Sequence, residues 1–249
     1  KAIINFEQVK EMLAKMRAKT DATRALLYET ARCVDIYKSY EAISRERKLE
    51  AEERQTLKTY TRLADMFTPL LKLFSSEYAN QNTYDCIQVY GGSGFMRDYP
   101  CERMYRDARI LTIYEGTSQL QVVAAIRGVI SGGFLNRIKE YEAMEADSKF
   151  DSMKSVLVSL RQDFEACVEK INAFGTTSAA HEFNSRRLVE IAGYIIMAHL
   201  LIIDANRDEQ FMASARIMTK MAQEQVAERK AFIDNFQESD LEDYNALAK

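Results

Sequence analysis

Apolar residues recur along this chain at intervals of three, four and seven over long stretches. Phe6, Val9, Leu13 and Met16, then Leu26, Leu27 and Val34, trace the stripe of an amphipathic helix from about Asn5 to Ile43, with Asn5 as candidate N-cap. Ser44 to Arg54 is almost entirely charged and reads as a solvated helix end or linker. A second helical pattern begins near Leu57 and continues through Leu73, Tyr78, Ile87 and Val89 to Gly91-Gly92, where paired glycines predict a C-terminal stop. Within it, Thr68-Pro69 predicts either a fresh N-terminus capped by Thr68 or a kink.

Glu102, Arg103, Arg106, Asp107 and Arg109 share one short helical segment, and charges three and four apart can pair along its face. Another helix starts at Thr117 and runs through Leu120, Val123, Ala124, Ile126 and Val129 to Ser131-Gly132-Gly133. That double glycine is the predicted domain boundary. Beyond it lie helical patterns at about Asp151 to Phe174, Ala179 to Ala205 and Glu209 to Phe236, joined by short loops that favour an antiparallel bundle. The acidic end, Gln237 to Lys249, is expected to fray.

Composition narrows the class. With 249 residues, 47% of them apolar, and only two prolines and nine glycines, the chain is expected to be all-α, since it lacks the turn signals of a sandwich or barrel. A formal net charge of -3 supplies no basic footprint for nucleic acid. Cys33, Cys86, Cys101 and Cys167 are far apart in sequence and form no Cys-x-x-Cys pair, which suits reduced packing thiols in a cytoplasmic setting; no signal peptide is recognised. The apolar run from Tyr194 to Ile203 is about half the roughly 20 residues a spanning helix needs, so it reads as a buried helix. On it, His199 is expected to be a hydrogen-bonded core residue. His181 stands far off, no carboxylate–histidine repeat accompanies either, and metal catalysis is not supported.

The stretch that carries candidate chemistry is Tyr114-Glu115-Gly116-Thr117-Ser118-Gln119, which puts an acid, a turn glycine and a hydroxyl directly after a helix-like run. Taken alone it is explained as a turn with Thr117 capping the next helix. The Gly-Gly-Ser-Gly cluster upstream could let a phosphate approach the backbone, but without a preceding strand it carries little weight.

Gln88-Val89-Tyr90-Gly91-Gly92-Ser93-Gly94-Phe95, Tyr99-Pro100, Glu102, Arg106-Asp107-Ala108-Arg109 and Tyr114 to Gln119, in this order and spacing, closely resemble the C-terminal domain of acyl-CoA dehydrogenases. Lys1 to Tyr40 also resemble the first long helix of that domain, so the likeness covers about the first 130 residues. The resemblance implies an up-and-down four-helix-bundle-type domain over residues 1–133. The added segment 134–249 is similar to the longer branch of the family, which has an extra C-terminal helical domain.

The resemblance further implies that Glu115 is the general base that takes the α-proton of an acyl-CoA thioester while hydride passes to FAD. A free glutamate, with a pKa of about 4.3, is a feeble base toward carbon, so a dry pocket walled by Tyr114 and Ile113 is expected around it. Thr117 and Gln119 would contact the flavin of the same subunit, and Gln88 and Gly92 the adenine end of a neighbour's, which implies a homo-oligomer, dimer or tetramer. An electron-transferring flavoprotein or similar acceptor would take the electrons. Arg106 and Arg109 are expected to be salt-bridge partners. One departure stands out: the N-terminal helical and central β-domains of the family are not in this sequence, so the chain alone is expected to be inactive and not to retain FAD. The rival readings are a non-catalytic helical interaction module and an acyl-CoA oxidase.

Overall fold

The computed structural model describes residues 2–248; Lys1 and Lys249 lie outside them. In chain order the helices are α1 Glu7–Glu46, α2 Ala51–Tyr90, α3 Gly92–Phe95, α4 Cys101–Ala108, α5 Ser118–Ile130, α6 Gly133–Glu142, α7 Asp151–Asn172, α8 Ala179–Arg207, α9 Met212–Asn235 and α10 Asp240–Leu247. No strand occurs among the described residues, and the all-α expectation holds.

α1 and α2 form a long antiparallel pair whose turn is built from the charged stretch. Glu50 caps α2 in a reciprocal capping box with Glu53, and Arg47 grips the Glu53 carboxylate at 2.6 and 2.8 Å. The Arg47 guanidinium, with the Glu50 amide, holds the Glu53 carboxyl down at about 2. The stretch that reads as a solvated helix end or linker is thus the end of α1, the start of α2 and a structured reversal between them. Asn5 does not cap α1: it sits in a 3₁₀ turn, and Phe6 takes the cap position with no side-chain bond to an amide. The buried stripe of α1 matches only part of the one the large residues trace. Leu27 and Phe6 are exposed, whereas Ala18, Ala22, Ala25, Leu26 and Cys33 are buried, so small side chains let the neighbouring helices approach closely.

α2 passes through Pro69 without a break, so Thr68 caps nothing and no new N-terminus forms. A proline in a helix interior costs roughly 3 kcal/mol. Phe67, Leu70, Leu73 and Phe74 around it are almost wholly buried, and each such side chain contributes about 1.5–3 kcal/mol, so burial wins.

α8 is the centre of the molecule, packing against α1, α2, α5, α6, α7 and α9. It is 29 residues long and apolar enough to cross a membrane, but 83% of its most apolar stretch is buried inside the protein, as a core helix would be. Ser178 caps its N-terminus through the His181 amide at 3.1 Å. Gly193 is required there: a Cβ would stand 2.6 Å from Phe74 Cζ, so its absence lets α8 lie against α2. His199 is buried as expected, but its Nε2 has no hydrogen-bond partner, which corrects the satisfied-histidine expectation; burial pushes its pKa down to about 4.

Two polar contacts tie the early helices to the later ones. The buried Asp21 of α1 accepts from Ser214 of α9 at 2.7 Å and from Arg17 at 2.8 Å. On the other side, Glu29 of α1 accepts from Arg137 and, at 3.0 Å, from Tyr141, both on α6. Burial raises the Glu29 pKa, but the Arg32 and Arg137 guanidiniums outweigh it and hold the carboxyl below its usual range. One buried apolar cluster runs through both groups of helices, from Ala22 to Phe236.

Two elements depart from the sequence reading. α6 follows the double glycine directly and buries Phe134, Ile138 and Tyr141. The acidic end forms α10, with Tyr244 against the Phe183 ring at 4.8 Å between centroids. All four cysteines are free thiols, and although far apart in sequence Cys86 and Cys101 bring their sulfurs to 3.3 Å.

Candidate active site

Residues 109–117 form a loop between α4 and α5, and α2 holds it from below. Lys72 Nζ donates to the Leu111 carbonyl, Asn80 donates to the Ala108 carbonyl at 2.9 Å, and Glu77 accepts from the Ser118 hydroxyl at 2.7 Å. Spaced five and three residues apart, these side chains fall within about 140° of one another at roughly 100° per residue, so one side of α2 carries all three. Lys72 Nζ also lies 4.9 Å from the centre of the Tyr114 ring.

At the crest of the loop Glu115 adopts φ +53°, the left-handed region, where among the described residues only glycines otherwise fall. Such a backbone costs roughly 1–3 kcal/mol for a residue with a Cβ, and it persists because neighbours over-determine it. Gln121 supplies that restraint: its side-chain amide donates to the carbonyls of Glu115 at 3.1 Å and Gly116 at 3.3 Å. Gly116, at φ +94°, leaves room for this amide, since a Cβ would stand 2.8 Å from the Gln121 nitrogen. Thr117 caps α5 by accepting from the Leu120 amide at 3.4 Å, as the sequence predicts.

The Glu115 side chain is exposed, and so are Ile113 and Tyr114. The dry pocket expected around the carboxylate is not formed by the described residues. A band of uncovered apolar residues, Ile110, Ile113, Tyr114, Leu120 and Val123, flanks it instead. Of the expected cofactor contacts, Gln119 is exposed in the first turn of α5, and Gln88 is exposed in the last turn of α2. Gly92 follows Gly91, which stands at φ +59°; a Cβ at either would meet nothing within 4 Å. Gly94 is different, because a Cβ there would press on the Ile87 backbone at 2.9–3.0 Å.

Tyr114, Glu115, Thr117 and Gln119 thus share one loop and helix start, while Gln88 and Gly92 lie elsewhere. Gln88 stands 8 to 16 residues beyond the α2 side chains that hold the loop, about 12–24 Å along the helix at 1.5 Å per residue, and Gly92 lies past the end of α2. Arg106 pairs with Asp107 at 3.9 Å, both exposed, in line with the salt-bridge expectation, whereas Arg109 bonds Thr112 rather than a carboxylate.

Among the described residues the fold is thus a set of helices in which α2 holds a strained acidic loop and ends, further along, in a glycine turn. Residues 1–130 match the family described as "Acyl-CoA dehydrogenase, C-terminal domain", and residues 130–241 match "Acyl-CoA dehydrogenase C terminal". The chain belongs to the acyl-CoA dehydrogenase family. Among relatives, it is 34% identical over 137 residues to the caffeyl-CoA reductase-Etf complex subunit CarC of Acetobacterium woodii, covering 55% of this chain and 28% of that protein. It is 35% identical over 128 residues to cyclohexane-1-carbonyl-CoA dehydrogenase of Geobacter metallireducens, covering 51% and 27%. The chain therefore spans little more than a quarter of the length of these relatives. In fold it is similar to Caenorhabditis elegans ACDH-11 in complex with C11-CoA, with a TM-score of 0.67 at 20% identity over 94% of this chain and 41% of that one.

Gln121, Lys72, Glu77 and Asn80, whose side chains hold the loop, are residues that the sequence reading misses.

Proposed function

We propose that this chain forms the general-base part of a flavin-dependent acyl-CoA dehydrogenase, with Glu115 taking the α-proton of an acyl-CoA thioester. The observation that carries this is the left-handed Glu115 backbone, clamped by Gln121 at the crest of a loop tied to α2. Strain held at an exposed acidic residue serves no packing purpose. The apolar band beside it supplies surface for an acyl substrate or for the enzyme's other domains, whose closure would dry the carboxylate and raise its proton affinity.

FAD fits the residues present. Gly91 and Gly92 leave an open approach to backbone, and the side chains of Gln88 and Gln119 make no hydrogen bond within the described residues. Thr117 accepts one bond and keeps its hydroxyl hydrogen to donate. When bound, FAD supplies the hydride acceptor for the β-carbon. Thr117 and Gln119 orient it at the loop, Tyr114 and Ile113 exclude water, and Glu115 removes the proton. The long separation of Gln88 and Gly92 from the loop supports contact with a second subunit's flavin and hence a homo-oligomer. An electron-transferring flavoprotein as acceptor is supported by the name of the Acetobacterium relative. The division near residue 133, the cytoplasmic location and the inactivity of this chain without the other domains belong to the same proposal.

Direction is a second question, because that relative is named a reductase. Read in reverse, protonated Glu115 gives its proton to the α-carbon of an unsaturated thioester. In the flavin-loaded full-length enzyme, Glu115→Gln keeps the shape of the side chain and removes the basic oxygen. Turnover is expected to fall by about 10²–10⁴ or more with flavin retained; near-normal turnover in both directions rejects the assignment.

A further inference from the structure

The geometry points to Cys86 and Cys101 as a reversible dithiol–disulfide pair that staples the end of α2 to the start of α4 across the glycine loop. Their sulfurs lie 3.3 Å apart, the one approach of two thiols among the described residues. Cys86 is half-buried and reachable from solvent, whereas Cys101, the first residue of α4, is 1% exposed. Ring contacts hold the two segments together on either side, Tyr84 with Tyr105 at 6.2 Å and Tyr90 with Tyr99 at 5.8 Å. A disulfide requires the sulfurs to close to about 2.05 Å, a movement of little more than 1 Å. The intervening turn can supply it, since Gly91 and Gly92 have open space around them. Cys33 and Cys167 are buried within α1 and α7, with no second thiol beside either.

The two positions divide the chemistry between them. The Cys86 thiolate attacks one sulfur of a low-molecular-weight disulfide, and the departing thiolate takes up a proton. Cys101 then loses its proton and attacks Cys86 Sγ, displacing the second small thiolate, which is protonated in turn. The protein gives up two electrons and two protons, and the small disulfide becomes two thiols. Burial and the Cys101 sulfur push the Cys86 thiol up to about 11, so exchange is slow at neutral pH and accelerates roughly tenfold per pH unit below that value. A consequence for FAD affinity follows because the stapled loop carries Gln88 and Gly92, and this part rests on the flavin reading above.

The test uses the purified chain in glutathione buffers of graded oxidised-to-reduced ratio, quenched with acid, alkylated and peptide-mapped. The expected product is a single Cys86–Cys101 cross-link with no glutathione retained, reversed by dithiothreitol, while Cys33 and Cys167 are alkylated only after unfolding. Cys101→Ser is expected to retain one glutathione on Cys86, and Cys86→Ser to leave Cys101 unreacted. Glutathione held on Cys86 of the unsubstituted chain, or a cross-link involving other thiols, overturns the pair; that result does not depend on either variant folding. FAD affinity of the full-length enzyme that is the same with the cross-link present and absent overturns the link to the flavin reading and leaves the pair intact.

Discussion

Gly193→Ala isolates the contact on which the α2–α8 seam depends. A Cβ at this position stands 2.6 Å from Phe74 Cζ and closer still to Cε2, whereas carbon atoms rest at about 3.5–4.0 Å. The ring must therefore move by about 1 Å or more. It has little room, being 4% exposed and wedged edge-on against Tyr78 at 5.6 Å and Tyr194 at 5.3 Å. Overpacking of this kind costs about 1–3 kcal/mol, and the better helix propensity of alanine returns up to about 1 kcal/mol. The net expectation is a destabilisation of about 1–2 kcal/mol, seen as a lower urea midpoint and a Tm reduced by about 2–8 °C at 2–4 °C per kcal/mol. Phe74→Leu removes the ring edge, so in that background the alanine should cost nothing or stabilise. A double-mutant cycle with additive effects would refute the claim that the glycine is there for the phenylalanine.

Three further outcomes follow from the same contacts. His199 has its pKa pushed down to about 4, so between pH 6.5 and 4 the unfolded chain binds a proton that the folded chain does not. Its contribution is absent above pH 6.5, and about 3 kcal/mol of stability is lost as pH falls to 4, at 1.36 kcal/mol per unit; an unchanged pH profile of the urea midpoint in His199→Phe contradicts this. Gln121→Leu releases the Glu115 and Gly116 carbonyls and should lower kcat of the full-length enzyme about tenfold or more, with KM and flavin content little changed. A loss confined to KM would show that Gln121 acts elsewhere. Oxidation of Cys86 and Cys101 closes a loop of about 15 residues and should raise stability by about 3 kcal/mol, read from the urea midpoint before and after dithiothreitol.

The helices with large apolar side chains were legible in the sequence, as were the glycine stop after Tyr90 and the Thr117 cap, because these signals are local. The misreadings came where packing decides. In α1 the core face is written in alanines, which carry little hydrophobic signal until a neighbouring helix comes close. Pro69 looked like an interruption because the burial of Phe67, Leu70 and Leu73 that overrides it is tertiary. α6 is a single short helix whose three buried residues, Phe134, Ile138 and Tyr141, do not form a pattern long enough to stand out.

The candidate site divides in the same way. Tyr114 to Gln119 alone reads as a capped turn, and Glu115 is singled out only by the order and spacing of that stretch after Gln88 and Gly91-Gly92. Lys72, Glu77, Asn80 and Gln121 are ordinary polar helix residues until the fold places the loop above α2. The contact between Cys86 and Cys101 is likewise a product of α4 folding back on α2, not of their spacing.

Glu115 as the group that moves the α-proton is most directly tested by isotope exchange. The full-length enzyme is incubated anaerobically in D₂O with a saturated acyl-CoA, and deuterium at the α-carbon is followed by mass spectrometry with the flavin absorbance recorded alongside. The unsubstituted enzyme is predicted to exchange the α-proton and to bleach its flavin, and Glu115→Gln to do neither while keeping its flavin bound. Exchange at an undiminished rate in Glu115→Gln would contradict the account and place the base elsewhere.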